Sequence, residues 1–355
     1  MANGLSESLI APERADGNLP YPAGPVDRFL AWIDRLRIPT WFFYLALLTA
    51  LVFIFNGLAW IDGSLRFPAL DVYRSSVPVY PVASLALVHY LNRAAHRALA
   101  AFSPALGAAE EKYEQLEYML VTLPRRGTWV TLTLSIAFTA VYINFTPYIV
   151  DLFRRSPWVA VTESVVAAFT FGMIAVFFYH TIHQLRMVSL IHARATDVNL
   201  FRLTPLYAFS GLTAQTGIGI LLMNYFGVLT DPATFENVAL ITLTVTASII
   251  AVVCFVLPLQ GMHARIVAEK KRLLIEANTR LEDTIQRLYA RSDSQDLAEV
   301  GHLNQLMVSL VTTLEIVERI STWPWKWETL LSFITVFLLP FVVRLIVGLI
   351  ELLVL

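Results

Sequence analysis

A chain of 355 residues that is 57% hydrophobic and only 15% charged, with a mean hydropathy of +0.62, is too apolar for a soluble globule, whose charged fraction sits near one quarter. A net charge of −1 supplies no basic field for nucleic acid. The single cysteine, Cys254, excludes a disulfide or thiolate metal cluster within one chain. The composition therefore predicts an all-α polytopic membrane protein, with the lipid bilayer as its first partner.

Residues 1–25 mix Pro, Gly, Ser and charge without the basic and apolar regions of a secretory signal, and read as a disordered tail. Residues 26–257 read as the transmembrane domain. Its first span is Trp41–Trp60, about the twenty uncharged residues needed to cross hydrocarbon, with a tryptophan at each end where interfacial aromatics belong. A second, less clean span covers 77–91, with Pro78 and Pro81 in its first turns.

The loop 92–127 is polar and helix-patterned. Ser103-Pro104 reads as a helix start, and Leu106, Tyr113, Leu116, Leu120 and Leu123 fall on one face. The third span, 128–150, is rich in hydroxyls. A tight connection at 151–157 leads to the fourth, 158–179, whose helical stripe continues through the cytoplasmic segment 180–204. Thr204-Pro205 opens the fifth span, 206–229, where Ser210, Ala214 and Gly217 form a small-residue face. Asp231-Pro232 makes a turn before the sixth span, 238–257.

Residues 258–326 read as a cytoplasmic antiparallel helical hairpin with a turn at 291–295. Val300, Leu303, Met307, Leu310, Leu314 and Val317 recur at alternating spacings of three and four, a heptad seam for the other arm. Trp323, Trp325 and Trp327 mark re-entry, and 327–355 is the seventh span, kinked at Pro340. With the N-terminus cytoplasmic and the C-terminus outside, 21 of the 26 Lys and Arg fall in inside segments, as the positive-inside rule requires. The expected location is the cell membrane, crossed seven times.

Six of the seven histidines lie near the cytoplasmic edge of a span. His180 and His183 share a helix face, so with His89, His96 or His263 they form a candidate metal or haem site. The competing reading is that an amphipathic ring is simply tolerated at an interface. Glu163 and Arg344 lie at matching depth within the fourth and seventh spans and form a candidate intramembrane charge pair, against the reading that each snorkels to nearby headgroups. Thr242, Thr244, Thr246 and Ser248 in the sixth span are expected to pack helices rather than line a pathway.

The topology is similar to that of the adiponectin-receptor and haemolysin III class of zinc hydrolases, but the seventh span holds no histidine, so that activity is not expected here. The arrangement also resembles the insect odorant-receptor type of seven-helix channel, which places cytoplasmic helices before the last span. The sequence contains no catalytic motif and selects no cofactor. The leading expectation is a passive channel or pore-forming homo-oligomer joined through the cytoplasmic helices and the last span. A signalling or scaffold module whose hairpin binds a cytoplasmic protein comes second, and a metal or haem enzyme third.

Overall fold

A computed structural model describes residues 19–354, except 62, 64, 108–109, 195–197, 231–237 and 293–296. The first eighteen residues of the expected tail and the expected turns at 231–232 and 293–295 lie outside the described residues. Of the described residues 87% are helical, and no strand occurs among them.

The helices are α1 (Pro25–Arg35), α2 (Thr40–Ile61), α3 (Val72–Ser76), α4 (Val79–Leu106), α5 (Glu110–Val121), α6 (Arg125–Phe145) and α7 (Pro147–Arg155), followed by α8 (Pro157–Ala193), α9 (Leu203–Leu206), α10 (Ala208–Thr230), α11 (Val238–Val256), α12 (Gln260–Ser292), α13 (Leu297–Arg319) and α14 (Trp327–Val354). Among the described residues six segments are long and apolar enough to cross a membrane: Thr40–Ile61, Arg125–Phe145, Pro157–Ala193, Leu203–Thr230, Leu240–Ala290 and Val300–Arg319.

At the centre lie α4, α8 and α10. Helix α4 buries Leu85, Val88, Leu91, Ala95, Leu99 and Phe102, and it packs against both of the others. Two contacts fix its direction relative to α8. Arg74, just before α4, bonds Glu163, and Asn92 bonds His180, so the two helices run parallel with nearly constant offset. Around this core, α2, α6 and α11 turn Phe53, Ile54, Leu134, Phe138, Leu243 and Ile249 outward. Apolar exposure on that scale is an aggregation liability in water but matches a hydrocarbon solvent.

Several local readings change in the structure. Residues 19–24, assigned above to a disordered tail, form a strap instead. The Gly24 amide donates to the Leu123 carbonyl and the Arg125 amide to that of Pro22, bridging Ala23 to Pro124. The amphipathic α1 then buries Val26, Leu30 and Ile33. Ser103-Pro104 does not open a helix: α4 runs through Pro104 and ends at Gly107, whose φ of 55° is left-handed, a stop that glycine makes without steric cost. Pro104 has no amide to offer the Ala100 carbonyl, and the Ser103 hydroxyl donates to it instead at 2.8 Å, which is how the helix tolerates the ring. The third apolar helix stops at Phe145 because Thr146, before Pro147, is extended. Residues 147–155 become the separate helix α7.

The face expected for the 92–127 loop is covered: Leu106, Leu116, Leu120 and Leu123 are buried and Tyr113 half-buried. Helix α8 is continuous for 37 residues. Helix α12 is tied to its end, where the Arg265 guanidinium donates to the Ala193 carbonyl and His192 bonds the Pro258 carbonyl.

Candidate functional site

The membrane-edge histidines do not gather. His180 Nε2 lies 2.7 Å from Asn92 Oδ1 on α4, while His183 Nε2 meets the Met119 carbonyl at 2.8 Å. His89 is held between Tyr44 Oη at 2.9 Å and Asp34 Oδ1 at 3.0 Å, His96 pairs with Glu117, and His263 bonds the Thr322 carbonyl. Among the described residues no three of His, Cys, Asp and Glu could hold a metal ion. His180, His183, His89, His96 and His263 instead each have a separate partner: the first four tie one helix to another, and His263 holds the connection before α14. His89 shows this best, since Tyr44, Asp34 and Arg93 join α1, α2 and α4 through it.

The strap brings a second polar group to the same edge. Tyr21 donates to the Thr122 carbonyl at 2.8 Å and lies 3.3 Å from His183 Nε2, and Tyr118 donates to the Tyr21 carbonyl. Asp27 Oδ2 accepts the amides of Gly24 and Leu123, while its Oδ1 is buried without a partner. Burial pushes the Asp27 carboxyl up to about 6, against the two amides, which pull it down.

A carboxyl raised in the docked strap holds a proton that a released strap gives up near pH 4. Docking is therefore strongest below pH 4 and weakens as pH rises through 6, by about 2 kcal/mol after allowance for partial exposure, at 1.36 kcal/mol per unit. Asp27→Asn keeps a neutral acceptor for both amides. We expect the variant to lose the pH dependence and to melt above the native protein at pH 8 but not at pH 4; melting curves across that range check it.

At the opposite end of α8, Glu163 meets Arg74. The guanidinium lies 3.1 Å from the carboxylate, and the two side chains are 13% and 10% exposed. The side chain of Arg344 lies outside the described residues. Beside this pair is a cavity of about 380 Å³ between α4, α6, α8, α10 and α11, lined by Tyr80, Tyr142, Thr170, Phe171, Met223 and Asn224 among others. The hydroxyls of Thr242 and Ser248 on α11 donate back to Val238 and Thr244 carbonyls, so they are bound to their own helix.

Helix α13 packs against α12. Its covered positions are half-buried Val300, Leu303, Met307, Leu310 and Leu314 and buried Val317; all other residues from 301 to 319 are exposed. Lys270 donates to the carbonyls of Glu318 and Ile320, capping α13 with a cation where its dipole is negative. The connection to α14 then stacks on the end of α11. His263, Trp323, Trp325, Phe255 and Phe333 form one column with centroid spacings of 4.1, 4.5, 5.4 and 4.6 Å.

Sequence reasoning missed Arg74, Asp27, Tyr21 and Asn92. Only Arg74 left a signal, as a basic residue in the loop between the first two spans of a domain whose fourth span holds an acid, Glu163. No protein-family model, no curated protein and no solved structure matches this chain.

Proposed function

We propose that the protein is a passive channel formed by an oligomer of this chain, assembled through α13 and α14. The reading takes α2, α4, α6, α8, α10, α11 and α14 as seven spans, with the N-terminus and the α12–α13 hairpin cytoplasmic and the C-terminus outside. Helix α4 belongs among them although it is less apolar, because protein rather than lipid covers it. Basic-residue placement supports the orientation, with 21 of 26 Lys and Arg inside.

The observation that carries the proposal is the outer face of α13. Leu306, Val308, Val311 and Ile316 are 41–57% exposed there, and residues 300–314 contain no Asp, Glu, Lys or Arg. Such a helix is apolar enough to sit in lipid, but its neighbour is not. Along α12 run the ion pairs Arg272–Glu269, Arg280–Glu276 and Arg287–Asp283. Placing those charges in hydrocarbon would cost about 3 kcal/mol each at the bilayer centre. The pair therefore stands in water, and another protein surface covers α13. A second copy is the economical occupant, because α14 continues from α13 and also turns Leu338, Phe341, Val342 and Leu345 outward. One symmetric contact then covers both helices.

The test uses full-length protein in mild detergent and in liposomes. A discrete oligomer with ion flux above that of empty liposomes is expected, and Val308→Glu with Val311→Glu should give folded monomers without flux. A native protein that is monomeric and passes no ions overturns the reading. A monomer that instead holds a cytoplasmic protein on α13 would favour the scaffold function.

A further inference from the structure

Of the eight side chains whose buried polar atoms find no partner among the described residues, five lie on α4 and on α8 before Val188. They are the hydroxyls of Ser84, Thr170 and Thr181, Nδ1 of His180, and both amide atoms of Gln184. None of the five residues is more than 8% exposed, and Gln184 is 0% exposed. Buried polar atoms in proteins are almost always paired, with protein or with ordered water. The contrast within α8 is sharp, since Thr162, Ser164 and Ser189 donate back to carbonyls four residues earlier, whereas Thr170 and Thr181 do not.

The α8 residues among them share one side of the helix. At 100° per residue, Thr170, Thr181 and Gln184 fall within about 60° of one another on α8, with His180 beside them. The parallel register set by Arg74–Glu163 and Asn92–His180 places Ser84 of α4 level with Gly172, next to Thr170. Thr170 also lines the outer cavity. Phe177, 1% exposed, lies on the same stripe between the outer pair and the inner three. Inward of Gln184 the face closes with Val188 and Ile191, both fully buried.

We infer that the α4–α8 interface is a binding site for internal water, in two groups. An outer group on Ser84 and Thr170 is continuous with the cavity. An inner group on His180, Thr181 and Gln184 is set off from it by Phe177. The chemistry of the donors and acceptors fits water and little else. His180 Nε2 faces the Asn92 oxygen, so Nδ1 is left as an acceptor; Gln184 offers one acceptor and one donor group, and the hydroxyls do both. No charged side chain is among them, so neither an anion nor a cation gains a counter-charge. A water bridging two to four such groups satisfies each of them. The inference is independent of the channel reading, because it concerns the inside of a single chain.

X-ray radiolysis of bound water, read by mass spectrometry on the full-length protein in nanodiscs, tests it. Hydroxyl radicals made at an internal water oxidise side chains that bulk radicals do not reach. Phe177 and Phe255 are 1% and 2% exposed, but Phe255 sits within the ring column. Phe177 is expected to oxidise about five-fold faster than Phe255, given water beside the first and none beside the second. Thr181→Val with Gln184→Leu should bring Phe177 down to the rate of Phe255 while the protein melts no lower than the native form. Thr181→Val alone, which keeps side-chain shape, should give an intermediate rate and serves if the double variant does not fold. Equal rates for the two phenylalanines in the native protein, or a Phe177 rate that neither variant lowers, would overturn the inference.

Discussion

Replacing Gly217 with alanine is expected to lower stability by about 3 kcal/mol or more, at the upper end of what overpacking costs. A Cβ on Gly217 would lie 2.7 Å from Phe333 Cε2 and 2.8 Å from the Ala251 carbonyl oxygen. Neither neighbour can yield easily. The carbonyl is α11 backbone, and the Phe333 ring is stacked on Phe255, which is stacked in turn on Trp325. Helix α10 must therefore move away from α11 and α14 together, and the ring column opens. Melting in detergent reads the first effect, and a red shift of tryptophan emission from Trp323 and Trp325 reads the second. Gly211→Ala is the control on the same helix: its Cβ meets nothing within 4 Å, so it should be neutral or stabilise by up to about 1 kcal/mol. If the two variants melt alike, the three-helix contact at Gly217 is wrong.

That contact was half legible in the sequence. Ser210, Ala214 and Gly217 announce a close approach at helical spacing, but spacing names neither Phe333 nor Ala251 as the partner. The same division runs through the molecule. The hydrophobic stripe of 106–123 and the recurrence of Val300 through Val317 can be read because burial imposes a period, and the residues those periods pick out are the covered ones.

Polar side chains carry no such period, because one hydrogen bond needs only one partner, which can stand on any helix. The histidines were therefore grouped by their nearness to a boundary, while the fold gives His180 to Asn92, His183 to Met119 and His263 to Thr322. The strap failed for a related reason. Its Pro and Gly content looks like disorder, yet Tyr21 and Asp27 each reach a backbone group about a hundred residues away. At Ser103-Pro104 the local motif misleads in both position and hydrogen-bond sense. The hydroxyl does satisfy a helix backbone group, but a carbonyl near the end of α4 rather than an amide at the start of a new helix.

Glu163 poses the same problem with the most free energy at stake. A carboxylate 10% exposed within an apolar helix needs a counter-charge. The fold brings Arg74 to it from α3, a partner that depth within the spans does not point to. Removing one member of a buried ion pair typically costs 3–5 kcal/mol, whereas removing both costs much less. Arg74→Gln is therefore expected to destabilise by about 3 kcal/mol, Glu163→Gln by a similar amount, and the double variant by clearly less than their sum, leaving a coupling of about 2 kcal/mol.

The loss has a structural direction. Helix α3 is only five residues long; besides the local bonds from the Arg74 amide to Asp71 Oδ1 and from the Ser75 hydroxyl to the Asp71 carbonyl, one side-chain bond, from the Asn56 amide to the Ser75 hydroxyl, holds it to α2. Without the bridge to α8 it should lift, and with it Ser76, which borders the outer cavity. Arg74→Lys tests the geometry separately: it keeps the charge but lacks the planar fork, and should fall between native and Arg74→Gln. Because both charges are shielded from water, 0.5 M salt should change the coupling little, unlike an exposed pair. Melting of the four proteins in the cycle gives the coupling directly. Single variants that melt like the native protein, or whose effects simply add, would separate Arg74 from Glu163 and leave the outer end of α8 without the contact that sets its register against α4.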